Sequence, residues 1–217
     1  MKTKSMQTKS MQTKSFLSLT CALVLLCLGG QANAALTIIN GDFQDLTGLT
    51  VTTPGWYRGV PTGWTGYTGN LGYNVIDWNS GNLGANIQTL GPSTPFVPLY
   101  QSAGLLDSTG KVTLTFNILG LSANYGISAG IYSAKSDGSP ITAFNSLATA
   151  SYTQASGSLQ TLEALNVAAG TRVGVAFWSW GAGGVGVDNV SLVPEPSTST
   201  LLLLGFAGVA ALRRRRC

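Results

Sequence analysis

The chain has 217 residues, 44% hydrophobic and 9% charged, with 28 glycines and no histidine, a balance that suits one ordinary domain. Its formal net charge of +4 is no signal for nucleic acid, because between Ala35 and Val193 only Arg58, Lys111, Lys135 and Arg172 face seven acids, a net of −3, and an acidic domain does not seek phosphates. With no histidine, and with Cys21, Cys27 and Cys217 all outside that span, neither a Ser-His-Asp triad, a Cys-His pair nor the usual zinc ligand sets can be built there.

The chain opens on a five-residue unit written three times, MKTKS, MQTKS and MQTKS, which leaves Met1, Met6 or Met11 as the start. Phe16 to Leu28 is an apolar stretch broken by Gly29 and Gly30, and Ala32-Asn33-Ala34 is an A-x-A cleavage site. Residues 1–34 therefore read as a secretory signal peptide, with the mature chain beginning at Ala35. Neither Cys21 after Thr20 nor Cys27 after Leu26 has the small preceding residue that lipid attachment wants.

From Ala35 the chain shows short β-type runs separated by Gly, Asn, Pro, Ser and Asp, and no stretch with helical period. Lys111 to Leu119 is the clearest: Val112, Leu114, Phe116 and Ile118 share one face, and Thr113, Thr115 and Asn117 the other. Companion strands are expected at 35–39, 49–53, 73–78, 97–102, 125–133, 160–167, 172–179 and 186–193. Nine short strands without a cysteine between them predict an all-β sandwich over residues 35–193, held by burial alone.

Aromatic residues form two groups, Trp56, Tyr57, Trp64, Tyr67, Tyr73 and Trp78, then Trp178 and Trp180. Sugars stack on exposed rings, so Trp64, Trp78, Trp178 and Trp180 are candidate carbohydrate contacts; the competing reading places such rings in the core. Within Arg172 to Trp180, Val173, Val175 and Phe177 make an apolar face, which turns Trp178 and Trp180 outward beside small Gly174 and Ala176. A glycosidase would need two carboxylates at a set separation, but Asp42, Asp45, Asp107 and Asp137 sit in turn-like surroundings and Glu163 in an alternating strand. The domain is therefore read as noncatalytic.

Asn40-Gly41-Asp42-Phe43, Pro61-Thr62-Gly63-Trp64 and Val187-Asp188-Asn189-Val190-Ser191-Leu192 resemble segments of the galactose-binding-like jelly rolls found in many carbohydrate-binding modules. The resemblance implies a jelly-roll-like antiparallel sandwich whose first and last strands lie side by side, with Ile39 and Val190 in a common core. It also implies that Asp42 and Asp188 converge on a structural calcium ion, carbonyls and water completing the shell; the alternative makes Asp42 an Asx-turn residue and Asp188 a strand-end acid.

The chain closes on Pro194-Glu195-Pro196, the uncharged run Leu201 to Leu212, and Arg213, Arg214, Arg215 and Arg216 before Cys217. In that order these elements resemble the PEP-CTERM sorting signal, here residues 194–217, whose processing partner is an exosortase, a membrane protease or transpeptidase. Positive-inside bias holds the arginines on the cytoplasmic side. As a helix the twelve apolar residues span roughly 18 Å, short of the ~30 Å hydrocarbon core, so the transmembrane sorting helix is a short anchor to the inner membrane that suits a transient intermediate. Pro194 and Pro196 are expected to leave the preceding backbone extended and open to the enzyme. A plain membrane anchor is the competing reading of the tail. The whole describes an exported protein, sorted to the cell surface or the extracellular matrix, that binds or is embedded in extracellular polysaccharide; the alternatives are a purely structural surface protein and a glycan-processing enzyme.

Overall fold

A computed structural model of the protein describes residues 36–66, 74–79, 81–88, 98–121, 126–139, 146–153, 159–180 and 184–195. All of them belong to one compact unit, Asn33–Thr198; the other unit, Met1–Ala32 with Ser199–Cys217, lies outside the described residues. The leader, the signal cleavage site at Ala32, Ala34 and Ala35, and the apolar run of the tail fall there or among the other residues not described. Among the described residues no helix is long and apolar enough to cross a membrane.

The described residues form eleven strands: β1 (Thr50–Thr53), β2 (Trp56–Arg58), β3 (Asn74–Asn79), β4 (Asn82–Gln88), β5 (Leu99–Leu105), β6 (Gly110–Leu121), β7 (Gly126–Ser133), β8 (Ser146–Tyr152), β9 (Leu159–Val167), β10 (Arg172–Trp180) and β11 (Gly184–Glu195). Every pairing is antiparallel. One sheet has the order β1-β2-β3-β4-β11-β6-β9, the other β5-β10-β7-β8. The all-β expectation holds, although three strands, β2, β4 and β8, were not among the nine expected. These are short or poor in β-branched residues: WYR, NLGANIQ and SLATASY. Neighbouring strands, rather than intrinsic preference, extend them. The reverse error is Leu36–Ile39, which is no strand. Its backbone is instead held at two points, by Thr37 N donating to Ala103 O at 3.0 Å and by the Gln101 side chain, whose Nε2 donates to Ile39 O at 2.9 Å while its Oε1 accepts from Ile39 N.

Period-two alternation decides which residues lie between the sheets. Val112, Leu114, Phe116 and Ile118 of β6 are fully buried, as are Ile127, Ala129 and Ile131 of β7 and Val173, Val175 and Phe177 of β10. They join one core that spans both sheets, which is how a domain without disulfides holds two sheets face to face. A chain of rings runs through it: Phe43 to Trp64 (5.3 Å between centroids), Trp64 to Phe177 (6.1 Å), Phe177 to Phe116 (5.0 Å) and Phe116 to Tyr152 (5.4 Å). Burying one such ring contributes on the order of 2 to 3 kcal/mol.

Candidate functional site

The outward positions of β5, β7 and β10 are not ordinary solvent-facing residues. In β10 the core set Val173, Val175 and Phe177 alternates with Gly174, Ala176 and Trp178, as the alternation requires. The same alternation turns Tyr100 out from between Leu99 and Gln101, and Tyr132 out beyond Ile131. Tyr132, Ala134 and Ala176 form a second, separate apolar cluster, with Tyr100 and Trp178 packed against it. It lies on the outer face of the four-stranded sheet.

Two glycines floor this strip. At Gly130 a Cβ would sit 3.3 Å from both Cη2 and Cζ3 of Trp178, so the benzene half of the indole lies across that backbone. At Gly174 a Cβ would meet Tyr132 Cζ at 2.5 Å and Gln101 O at 2.6 Å, so there the phenol ring takes the side chain's place. Tyr100 meets Tyr132 edge-on, 6.2 Å between centroids at 83°. The Tyr132 hydroxyl donates to Gly138 O at 3.2 Å, and burial, with Tyr100 beside it, pushes its pKa well above the ordinary phenol range, which keeps it a neutral donor. Around the rings stand hydroxyls: Ser128 and Ser151 pair through their Oγ atoms at 2.7 Å, and Ser102 Oγ is buried without a hydrogen-bond partner. Two half-buried rings, Tyr100 and Trp178, packed against buried Tyr132, with neutral hydroxyls and no acid at the outward positions of these strands, make a surface suited to an uncharged, polyhydroxylated ligand.

Of the four tryptophans singled out in the sequence, Trp178 alone is seen on this strip. Trp180 ends β10 and Trp78 lies in β3, but their side chains are outside the described residues. Trp64 is a correction: only 6% exposed, it belongs to the core between Phe43 and Phe177, and its Nε1 donates to Asn40 O at 3.2 Å. An indole enclosed on both sides cannot stack on a ligand. Tyr100 was missed, although the alternation in β5 carried the signal; Tyr132, 4% exposed, is enclosed like Trp64 and supports the strip rather than offering a stacking face.

The three segments that suggested a jelly roll form one junction. Val190 N donates to Gly41 O at 2.9 Å, and a Cβ at Gly41 would lie 2.3 Å from Val190 O, so only glycine fits the approach. Asn40 holds the adjoining turn, its Oδ1 accepting from Asp45 N at 3.0 Å and its Nδ2 donating to Asp45 O at 3.1 Å. Asn40, Phe43 and Asn189 all have positive φ, near 50°. The expected Ile39–Val190 core contact is not made: Val190 is buried but Ile39 is 55% exposed, and Ile38 is the residue that packs inward. The Gln101 clamp on the Ile39 backbone sets that phase.

Asp188 lies at the same junction, 2% exposed, where β11 bulges against β6. Its Oδ1 accepts from Asn189 N at 2.7 Å and its Oδ2 from Asn189 Nδ2 at 2.9 Å. Burial pushes its pKa up, the Asn189 backbone bond partly offsets that, and the charge of Asp42 adds to the rise. Asp188 therefore feels the charge of Asp42 across the junction. No cluster of three or more His, Cys, Asp or Glu occurs among the described residues.

At the C-terminal end the structure departs from the open segment expected. Pro194 and Glu195 are not free: they are the last residues of β11, opposite Val112 and Lys111 of β6. Pro196 and Arg213 to Arg216 lie outside the described residues.

Comparison with known proteins finds the PEP-CTERM protein-sorting motif over residues 192–216. No curated protein matches the chain. Among solved structures the chain is similar to one described as CBM4, at 16% identity over 73% of this chain and 100% of that one, with a TM-score of 0.45. A putative sugar binding protein from Bacteroides thetaiotaomicron is 12% identical over 74% of this chain and 100% of that one, with a TM-score of 0.42. TmCBM61, solved in complex with β-1,4-galactotriose, is 16% identical over 73% of this chain and 97% of that one, with a TM-score of 0.40.

Proposed function

We propose that this is an exported, noncatalytic protein, processed by an exosortase-type enzyme at its tail and delivered through transient inner-membrane anchoring to the cell surface or extracellular matrix. There its sandwich binds extracellular polysaccharide through the outer face of the four-stranded sheet. Export and sorting rest on the motif at residues 192–216. The glycan reading rests on one observation: Trp178, half-buried, is laid across Gly130 and, with half-buried Tyr100, packs against buried Tyr132 on the outer face. A ring already ordered on the protein loses little side-chain freedom when a sugar face stacks on it. Saturable binding of the mature protein to a glycan array, lost on Trp178→Ala, supports this reading; a clean array with a folded protein leaves a purely structural surface role. Intact mass tests the sorting half, since the mature chain should lack both the leader and Arg213–Cys217.

We further propose that Asp42 and Asp188 hold a structural calcium ion. Asp188, whose ionisation is made costlier by burial and by the charge of Asp42, would be relieved by a cation, but two carboxylates supply only part of its six to eight oxygens, so backbone carbonyls and water would complete the shell. Calcium at millimolar concentration should raise the melting temperature over that in chelator, and Asp188→Asn should abolish the difference. Equal melting of the wild type in both conditions removes the ion.

A further inference from the structure

The sorting motif and the folded domain share residues. The motif begins at residue 192, whereas β11 continues to Glu195, so Leu192, Val193, Pro194 and Glu195 serve both. In the fold they run antiparallel to β6, opposite Leu114, Thr113, Val112 and Lys111 in turn. Leu192 is 3% exposed and packs in the core. The backbone of Glu195 lies so close to Gly110 that a Cβ there would stand 3.0 Å from Glu195 O. Both carboxylate oxygens of Glu195 are engaged: Oε1 accepts from Thr113 Oγ1 at 2.7 Å, and Oε2 meets Lys111 Nζ at 2.9 Å. Lys111 is steadied from the far side by Glu163 at 2.8 Å.

We propose that Lys111 and Thr113 compete with the processing enzyme for the sorting motif, so that the tail is removed only from molecules in which the end of β11 has come away from β6. This rests on the sorting reading above. The competition follows from chemistry. A peptide bound in a protease or transpeptidase cleft is extended and spends its backbone N–H and C=O groups on the enzyme, as an added strand does; here the segment is paired along β6, which takes up those groups of every second residue. The acid that distinguishes Pro-Glu-Pro from other proline-rich segments is already ligated on both oxygens. Tail removal breaks one peptide bond, the acyl group passing to water or to an acceptor nucleophile while the leaving amine takes a proton, and nothing in that step needs the sandwich. The clasp is built to open: the Lys111 and Glu195 side chains are 32% and 41% exposed, water competes for both, and exposed ion pairs are weak. Enzyme action is then scaled by the fraction of molecules that are open.

The test follows tail removal by intact mass on the full chain, expressed in a host with its processing enzyme and sampled after a pulse. Lys111→Met with Thr113→Val frees Glu195 without touching the core and should speed tail removal about two- to five-fold. Val193→Cys with Thr113→Cys places two thiols at directly opposed positions, within disulfide reach in an antiparallel pair; oxidised, it should stop processing, and reductant should restore it. Val173→Ala lowers the stability of the sandwich from the other sheet and should leave the rate unchanged. An oxidised cysteine pair processed at the wild-type rate, or Val173→Ala accelerating as much as the clasp variant, overturns the inference. Neutral replacements of Arg213 to Arg216 serve as the separate arm: if these chains still lose their tails normally, the sorting reading itself fails, whatever the clasp does.

Discussion

The sandwich has two outer faces, and they were built from the same alternation with opposite materials. Over β10 and β7 the outward residues are mostly rings and small side chains, Trp178, Tyr132, Ala176, Ser128, Gly130 and Gly174, with Arg172 at the start of β10, and the rings lie down on the glycines. Over β6, β9 and β11 they include Lys111, Thr113, Glu163 and Glu195, paired with one another, beside the exposed apolar Leu159, Leu165 and Val193. Placing a residue outward therefore says nothing about its use. A face that hides its own backbone under half-buried rings has spent solubility to keep a shaped surface, whereas the charged face holds the end of the chain.

The strongest test of the first face sets two neighbours against each other. Phe177 and Trp178 are adjacent in β10 but point to opposite sides: Phe177 is fully buried against Phe116 and Trp64, and Trp178 is half-buried over Gly130. Phe177→Ala should cost about 3 to 5 kcal/mol of folding stability by chemical denaturation. Trp178→Ala should cost distinctly less stability and instead weaken polysaccharide binding by about 2 kcal/mol. Equal losses of stability in the two variants would make the outer strip a second core and nothing more.

Gly130→Ala sharpens the point with a smaller change. The added methyl meets only the far edge of the indole at 3.3 Å and Thr149 Cγ2 at 3.4 Å, both able to give way, and alanine is better than glycine inside a strand by up to about 1 kcal/mol. Stability should hold or rise while glycan affinity falls, because the ring is tipped from its seat. Unchanged affinity on the same array would show that the tilt of Trp178 does not matter to the ligand.

How much of this was legible beforehand depended on the range of the interaction. The outward placement of Trp178 needed only Val173, Val175 and Phe177 beside it, and it holds. Trp64 could not be placed by pattern, because its burial is set by Phe43 and Phe177, far along the chain, and by a hydrogen bond to Asn40. Strands β4 and β8 escaped for the same reason: Asn, Ser and Ala carry little preference of their own, and pairing with β11 and β7 decides their state. The jelly-roll segments were recognisable as signatures, but why Gly41 is glycine appears only when Val190 O is set against it. Glu195 read as part of an address; that it is also the last residue of a strand depended on Lys111 and Thr113.

The charged face yields the smallest effect, and its sign can be worked out. The hydrogen bond from Lys111 first, and that from Thr113 second, hold the Glu195 carboxyl below the usual carboxylate range; the bonds to Glu163 and then Glu195 hold the Lys111 ammonium above the usual lysine range. A depressed acid adds stability that is present above its unfolded pKa and is lost as pH falls through the folded value. A raised base adds stability that is present below its unfolded pKa and is lost as pH rises through the folded value. The clasp should therefore be closed on a plateau across neutral pH and open at acid pH. Titration of the Glu195 carboxyl carbon by NMR should give a midpoint below that of a free glutamate, moved up most by Lys111→Met and less by Thr113→Val. Amide exchange at Val193, corrected for its intrinsic pH dependence, should quicken through the same window as the strand end frees itself. A Glu195 midpoint that ignores Lys111→Met would mean that the pair is not held in solution, and the two outer faces would then differ in composition but not in function.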